Sequence, residues 1–104
     1  MTASDAVFRA LADETRREIL KMLRAGPRTS GEIANRFESS WPTISRHLAV
    51  LRGAGLVTAQ RKGAEIHYEL NTSVFEDLVQ HLMDWVRPTS GRRVPRAVAR
   101  GQEG

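Results

Sequence analysis

Arg46 and His47 stand side by side in the stretch SSWPTISRHLAVLRGAGLV, residues 39–57, with Trp41, Thr43 and Ser45 just ahead of them. A guanidinium donates parallel hydrogen bonds in a fixed plane, hydroxyls and an imidazole donate or accept, and an indole offers a flat apolar face. That is chemistry for holding a flat, polar or anionic partner. Bond-breaking chemistry lacks its parts: His47, His67 and His81 fall on separate segments, no serine shares a local motif with a base, and there is no cysteine. A metal site is also short of ligands. His81 and Asp84 lie three apart on one helical face, but two ligands per chain do not make a tetrahedral site unless a second chain supplies the rest. No cofactor is implied.

The surrounding segments dictate how these side chains are presented. Ser40 can cap free helix amides and Pro42 falls in a first turn, where its missing N–H costs nothing, so a helix is predicted to start there. Ile44, Leu48 and Leu51 recur at i, i+4 and i+7 as a buried stripe, leaving Trp41, Thr43, Ser45, Arg46 and His47 on or near the exposed flank. Upstream, TSGEIANRF sets Thr29 and Glu32 at capping-box spacing and predicts a helix of about two turns with Ile33 and Phe37 inward. Only Glu38, Ser39 and Ser40 then part the two segments. Two short helices joined by a turn of about three or four residues, the second with a polar start, form a helix-turn-helix pattern. Two helices precede it. SDAVFRALAD is capped by Ser4 or Asp5, with Val7, Phe8 and Leu11 on one side; DETRREILKMLRAGP is capped by Asp13, with Ile19, Leu20 and Leu23 inward and Gly26-Pro27 as its stop.

After Gly53 and Gly55 the period becomes alternating. Val57 and Ala59 alternate with Thr58 and Gln60, then Ile66, Tyr68 and Leu70 with Glu65, His67 and Glu69, and KGA lies between the runs. This is a β-hairpin, and its place directly behind the helix pair makes it a wing whose Arg61 and Lys62 reach a neighbouring groove or phosphate. A last helix runs from Asn71 or Thr72 with Phe75, Leu78, Val79, Leu82 and Val86 at helical spacing, Trp85 beside them and Pro88 behind. The apolar groups exceed what a small core needs. They are expected to form a seam with a second copy of the chain, completed by Val7, Phe8 and Leu11 of the first helix; the alternative is that all are core. The fold class is thus mainly α with a β-hairpin wing, in the order α-α-α-α-β-β-α. Residues 1–87 make one domain and 88–104 a basic, flexible tail.

Charge follows the same division. Of the net +4, the tail contributes +3 through Arg92, Arg93, Arg96 and Arg100 against Glu103. Residues 28–62 carry Arg28, Arg36, Arg46, Arg52, Arg61 and Lys62 against Glu32 and Glu38, a local excess that fits either a polyanion-binding face or a solvated one. With 104 residues and 40% hydrophobic composition the core has little to spare, which makes a dimer plausible. The absence of cysteine fits a reducing compartment. No apolar run near ~18 residues and no signal-like start are present, so a cytoplasmic protein with no membrane partner is expected.

FRALADETRREILKMLRAGPRTSGEIANRF, followed by PTISRHLAVLRGAGLV and RKGAEIHYELN, resembles the ArsR family of bacterial winged-helix repressors over about residues 7–86, and looks most like its metal-independent autorepressor branch. The resemblance implies a homodimer through the first and last helices and a recognition helix in the major groove of a double-stranded operator. It implies that Trp41, Pro42, Ser45 and Arg46 face the groove, with Thr43 and His47 nearer the phosphates. Arg46 is then the candidate for a bidentate contact to guanine. Trp41 packs on a thymine methyl or a sugar, unless it staples its own domain. Thr29 and Ser30 can offer hydroxyls and amides to a phosphate, although capping alone explains them. One departure concerns control, since GEIANRF lacks the cysteines of metal-sensing relatives; two others, Glu14 at the position usually held by proline and Gly53 before AGLV, loosen helix ends without touching the DNA-facing set. The effector is not named by the sequence. The rival readings are a winged-helix module that binds protein, and a metal-responsive repressor with its site on the last helix.

Overall fold

The computed structural model describes residues 3–88. Five helices and three strands follow in order: α1 (Ala3–Leu11), α2 (Glu14–Leu23), β1 (Arg28–Thr29), α3 (Ser30–Asn35), α4 (Trp41–Gly53), β2 (Val57–Lys62), β3 (Glu65–Leu70) and α5 (Thr72–Val86). The predicted order holds, with one addition. β1 pairs antiparallel with β3, so the sheet has three strands in the order β1-β3-β2. Two residues are too few for alternation to declare them, and only the β3 edge makes Arg28 and Thr29 a strand.

Local chemistry accounts for most boundaries. Thr29 caps α3 in a reciprocal box: its hydroxyl accepts from the Glu32 amide at 3.1 Å, and its own amide donates to Glu32 Oε1 at 2.9 Å. Residues 36–40 form the connection to α4, slightly longer than expected, because α3 ends at Asn35 and the amides of Arg36 and Phe37 bond back to Ile33 and Ala34. α1 starts at Ala3, which places Asp5 inside its first turn rather than at the cap. The end of α4 is a Schellman motif: the Leu56 amide donates to Leu51 O at 3.0 Å and the Gly55 amide to Arg52 O at 2.9 Å. Gly55 takes the left-handed φ of +79° this turn requires, whereas Gly53 is the last helical residue. Leu51 and Leu56, the apolar pair that accompanies the motif, are both fully buried.

These ends converge on one core. Ile19, Ile33, Ile44, Leu51, Leu56 and Val57 are its fully buried large side chains, contributed by α2, α3, α4, the turn after α4 and the start of β2. Val7 and Ala10 of α1 belong to it as well. Val7, expected at a seam with a second copy, is only 4% exposed, so its methyls are already spent inside the protomer. Phe75 and Leu78 of α5 and Leu11 of α1 are half-buried against the same core. The outer face of α5 is different: Val79, Leu82, Met83, Trp85 and Val86 are all exposed. No helix among the described residues is long and apolar enough to cross a membrane.

Asp13 anchors the start of α2. The Arg16 amide donates to Asp13 Oδ2 at 3.0 Å, and this bond, opposed by burial and aided by the nearby Arg16 charge, holds the carboxyl below its ordinary value. A carboxylate with a depressed folded pKa adds stability above its unfolded value of ~3.9 and loses it as pH falls through the folded one. Asp13→Ala is therefore expected to cost about 1 kcal/mol in urea unfolding at neutral pH, a deficit that shrinks below about pH 4. Asp13→Asn, which keeps a capping oxygen, should retain most of the stability. An Ala deficit unchanged by acid would show that the carboxylate is not its source.

Candidate nucleic-acid interface

The start of α4 is built to stand clear of the core. Ser40 accepts from the Thr43 amide at 3.4 Å, its hydroxyl meets Thr43 Oγ1 at 3.0 Å, and Pro42 occupies the first turn as predicted. Ile44, Leu48 and Leu51 bury the inner stripe, which turns Trp41, Pro42, Ser45 and Arg46 outward. Trp41 is 52% exposed, so it staples its own domain at most in part. Arg46 is exposed and makes no hydrogen bond or ion pair with any described residue, which leaves its planar fork free for a partner.

The wing supplies two further cations. β2 and β3 pair in register from Val57 opposite Leu70 to Lys62 opposite Glu65, so only Gly63 and Ala64 form the turn. A positive φ of +65° at Gly63, with none at Ala64, is the pattern of a II′ hairpin turn. Arg61 and Lys62 are exposed beside this tip and likewise have no partner among the described residues. Because strand residues alternate, Arg61 shares the face of Val57 and Ala59 and Lys62 takes the opposite one. The two cations therefore address different sides of the ribbon.

One predicted site residue is placed differently. His47 was expected on the polar flank, but its side chain is only 17% exposed and its Nδ1 lies 3.2 Å from Arg16 Nη1 and 3.8 Å from Asp13 Oδ2. A position three residues after Ile44 and one before Leu48 falls at the edge of the buried stripe, and a neighbouring helix there captures the ring. Thr29 is committed to the capping box, with the Glu32 carboxylate already at that helix start, while Ser30 is half-buried beside it. Arg16 was missed. Its signal was a cation in the first turn of a helix, where the dipole disfavours positive charge and where a tertiary use is therefore needed to hold it.

Along the far side, Phe8 of α1 stacks on Trp85 of α5 with ring centroids 5.7 Å apart, and His81 sits edge-on to Trp85 at 5.4 Å. His81 is thus in aromatic company, and no group of three His, Cys, Asp or Glu is placed to hold a metal ion among the described residues.

A capped helix pair, a basic hairpin and a polar helix start left free of the core define a winged helix-turn-helix regulator. Residues 13–59 match the family model described as bacterial regulatory protein, arsR family. The chain is 42% identical to the transcriptional repressor SdpR of Bacillus subtilis over 80 residues, spanning 77% of this chain and 89% of that one. Among solved structures it is similar to an ArsR-like transcriptional regulator from Rhodococcus sp. RHA1, with a TM-score of 0.72 and 33% identity over 79% of this chain and 77% of that one. A second is the homodimeric winged helix-turn-helix DNA-binding domain Mb0332 from Mycobacterium bovis, with a TM-score of 0.65 and 32% identity over 79% of each chain. This protein belongs to the ArsR family of bacterial regulatory proteins.

Proposed function

We propose that the protein is a cytoplasmic, homodimeric transcriptional repressor that binds an inverted-repeat operator without a metal ion and has no catalytic activity. The observation that carries this reading is Arg46, exposed on the second turn of α4 and without a partner among the described residues, together with Arg61 and Lys62 on the wing, which likewise have none there. Trp41, Pro42, Ser45 and Arg46 of each protomer enter a major groove, Thr43 meets a phosphate at the groove edge, and the wing cations follow the flanking backbone. Half-site centres lie about one or two helical turns apart, each turn being ~10 bp. The residues up to 87 form the binding and dimerisation unit. The basic, flexible tail expected after them lies, from residue 89 on, outside the described residues, and its arginines are proposed to add sequence-blind attraction.

The dimer seam follows from the exposed apolar face of α5. Val79, Leu82, Trp85 and Val86, with Phe8 from α1, form an apolar surface that a second copy would cover. Phe75, Leu78 and Leu11 support it from beneath, and Val7 has no part in it.

Fluorescence anisotropy of the chelator-treated protein on its own upstream DNA and on a scrambled duplex, across a salt series, tests the reading. Binding at ~10⁻⁸ M or tighter at physiological salt, with the scrambled duplex at least ~10³-fold weaker, is expected. Equal affinities with a steep salt slope would reduce it to basic-face attraction, and no binding would favour a protein partner. In the same series Lys62→Ala should weaken all duplexes alike and lower the salt slope by about one.

A further inference from the structure

Arg16 ties three helices together. Its Nε donates to Ala10 O at 2.7 Å and its Nη2 to Arg9 O at 3.1 Å, both carbonyls in the last turn of α1, while Nη1 meets His47 Nδ1 on α4 at 3.2 Å. The backbone amide of the same residue is held by Asp13 at the start of α2. A guanidinium has no acceptor, so the contact with His47 has one chemical form. In that form Nδ1 accepts through its lone pair and a single ring proton sits on Nε2, with Asp13 Oδ2 3.8 Å from the same Nδ1. A side chain 17% exposed and fastened at one ring nitrogen has little freedom to turn.

His47 follows Arg46 directly, so whatever fixes His47 also fixes the azimuth of the turn that carries Arg46. Helix α4 is otherwise seated by apolar contacts of Ile44, Leu48 and Leu51, which resist separation but specify rotation about the helix axis less strictly than a directed hydrogen bond. The carbonyls at the other end of the joint belong to α1, the helix that carries Phe8.

We propose that Arg16 and His47 form a positioning joint for operator reading, in which Arg16 fastens α4 to the last turn of α1 through the acceptor Nδ1 of His47. The inference rests on the DNA-reading role of α4. It assigns His47 an inward task and makes Arg16 a specificity-determining residue that touches no base.

Two side-chain amides separate the inward role from an outward one. Asn places an oxygen near the position of Nδ1 and can still accept from Arg16; Gln places its terminal amide near Nε2 and leaves Arg16 without its acceptor. In anisotropy on upstream and scrambled duplexes, His47→Asn should keep the preference for the upstream sequence within about twofold, and His47→Gln should lower it about tenfold. Arg16→Met, which keeps the apolar stem, should lower it to a similar extent. The reverse order for Asn and Gln would overturn the joint. Nitrogen-15 correlation spectra of the free protein at about pH 8 provide a readout that needs no DNA. The Nε2–H tautomer of His47 alone is expected in the wild type and a mixture of tautomers in Arg16→Met; an Nδ1–H form in the wild type would defeat the proposal. A wild type without sequence preference would instead defeat the repressor reading, and leave the spectra to judge the joint.

Discussion

Arg46→Ala is expected to weaken binding to the upstream duplex by about 5- to 150-fold while changing the scrambled duplex by little more than the loss of one charge requires. The range corresponds to the ~1–3 kcal/mol of discrimination that a bidentate arginine contact to a guanine edge provides. The protomer itself loses nothing comparable, because the Arg46 side chain is exposed and bonded to no described residue. Melting temperature should therefore be unchanged. Arg46→Lys sharpens the test: it restores the charge without the planar fork, and should recover the scrambled duplex fully but the upstream duplex only in part. Equal losses on both duplexes would make Arg46 a phosphate contact and move the reading of bases to Trp41 and Ser45.

Val79→Glu is expected to convert a dimer into a folded monomer near 11.6 kDa and to weaken binding to a two-site operator by about 10²–10⁴-fold. Val79 is 57% exposed, so a carboxylate there can stay hydrated in the isolated protomer. Across a two-fold seam the same carboxylate would be desolvated and face its own copy, which apolar burial does not offset. Sedimentation velocity at the concentration of the binding assay, alongside circular dichroism, reads the two effects separately. A variant that remains dimeric would place the seam elsewhere than on the outer face of α5. A variant that is monomeric yet binds the two-site duplex as tightly as before would remove the dimer from the mechanism.

Much of this architecture is legible in local signals because local physics sets it. Capping at Asp13, Thr29 and Ser40, the glycines that close α4 and the hairpin, and the i, i+4, i+7 stripe of Ile44, Leu48 and Leu51 all act within a turn or two of chain. The candidate reading surface is legible for the same reason. Once the stripe is inward, Trp41, Ser45 and Arg46 have no other direction to face. The exposed apolar face of α5 was also visible as an excess of apolar groups over the needs of a small core.

What was not legible lies where one element meets another distant in sequence. Periodicity made Val7 as suitable for a seam as Phe8, and only the packing of α1 over α2 and α4 sends Val7 inward and leaves Phe8 to stack on Trp85. β1 exists only because β3 offers an edge to Arg28 and Thr29. His47 sits at the boundary of its helix's buried stripe, where periodicity does not decide direction, and Arg16, 31 positions earlier, decides it through a hydrogen bond. The sequence by itself determined most helix ends, the wing, the family and the polar start of α4, because each depends on neighbours along the chain. The tertiary structure alone decided which face of α1 is spent on the core, and that His47 turns inward to Arg16, because side chains at the margin of a stripe take their direction from whichever element packs against them.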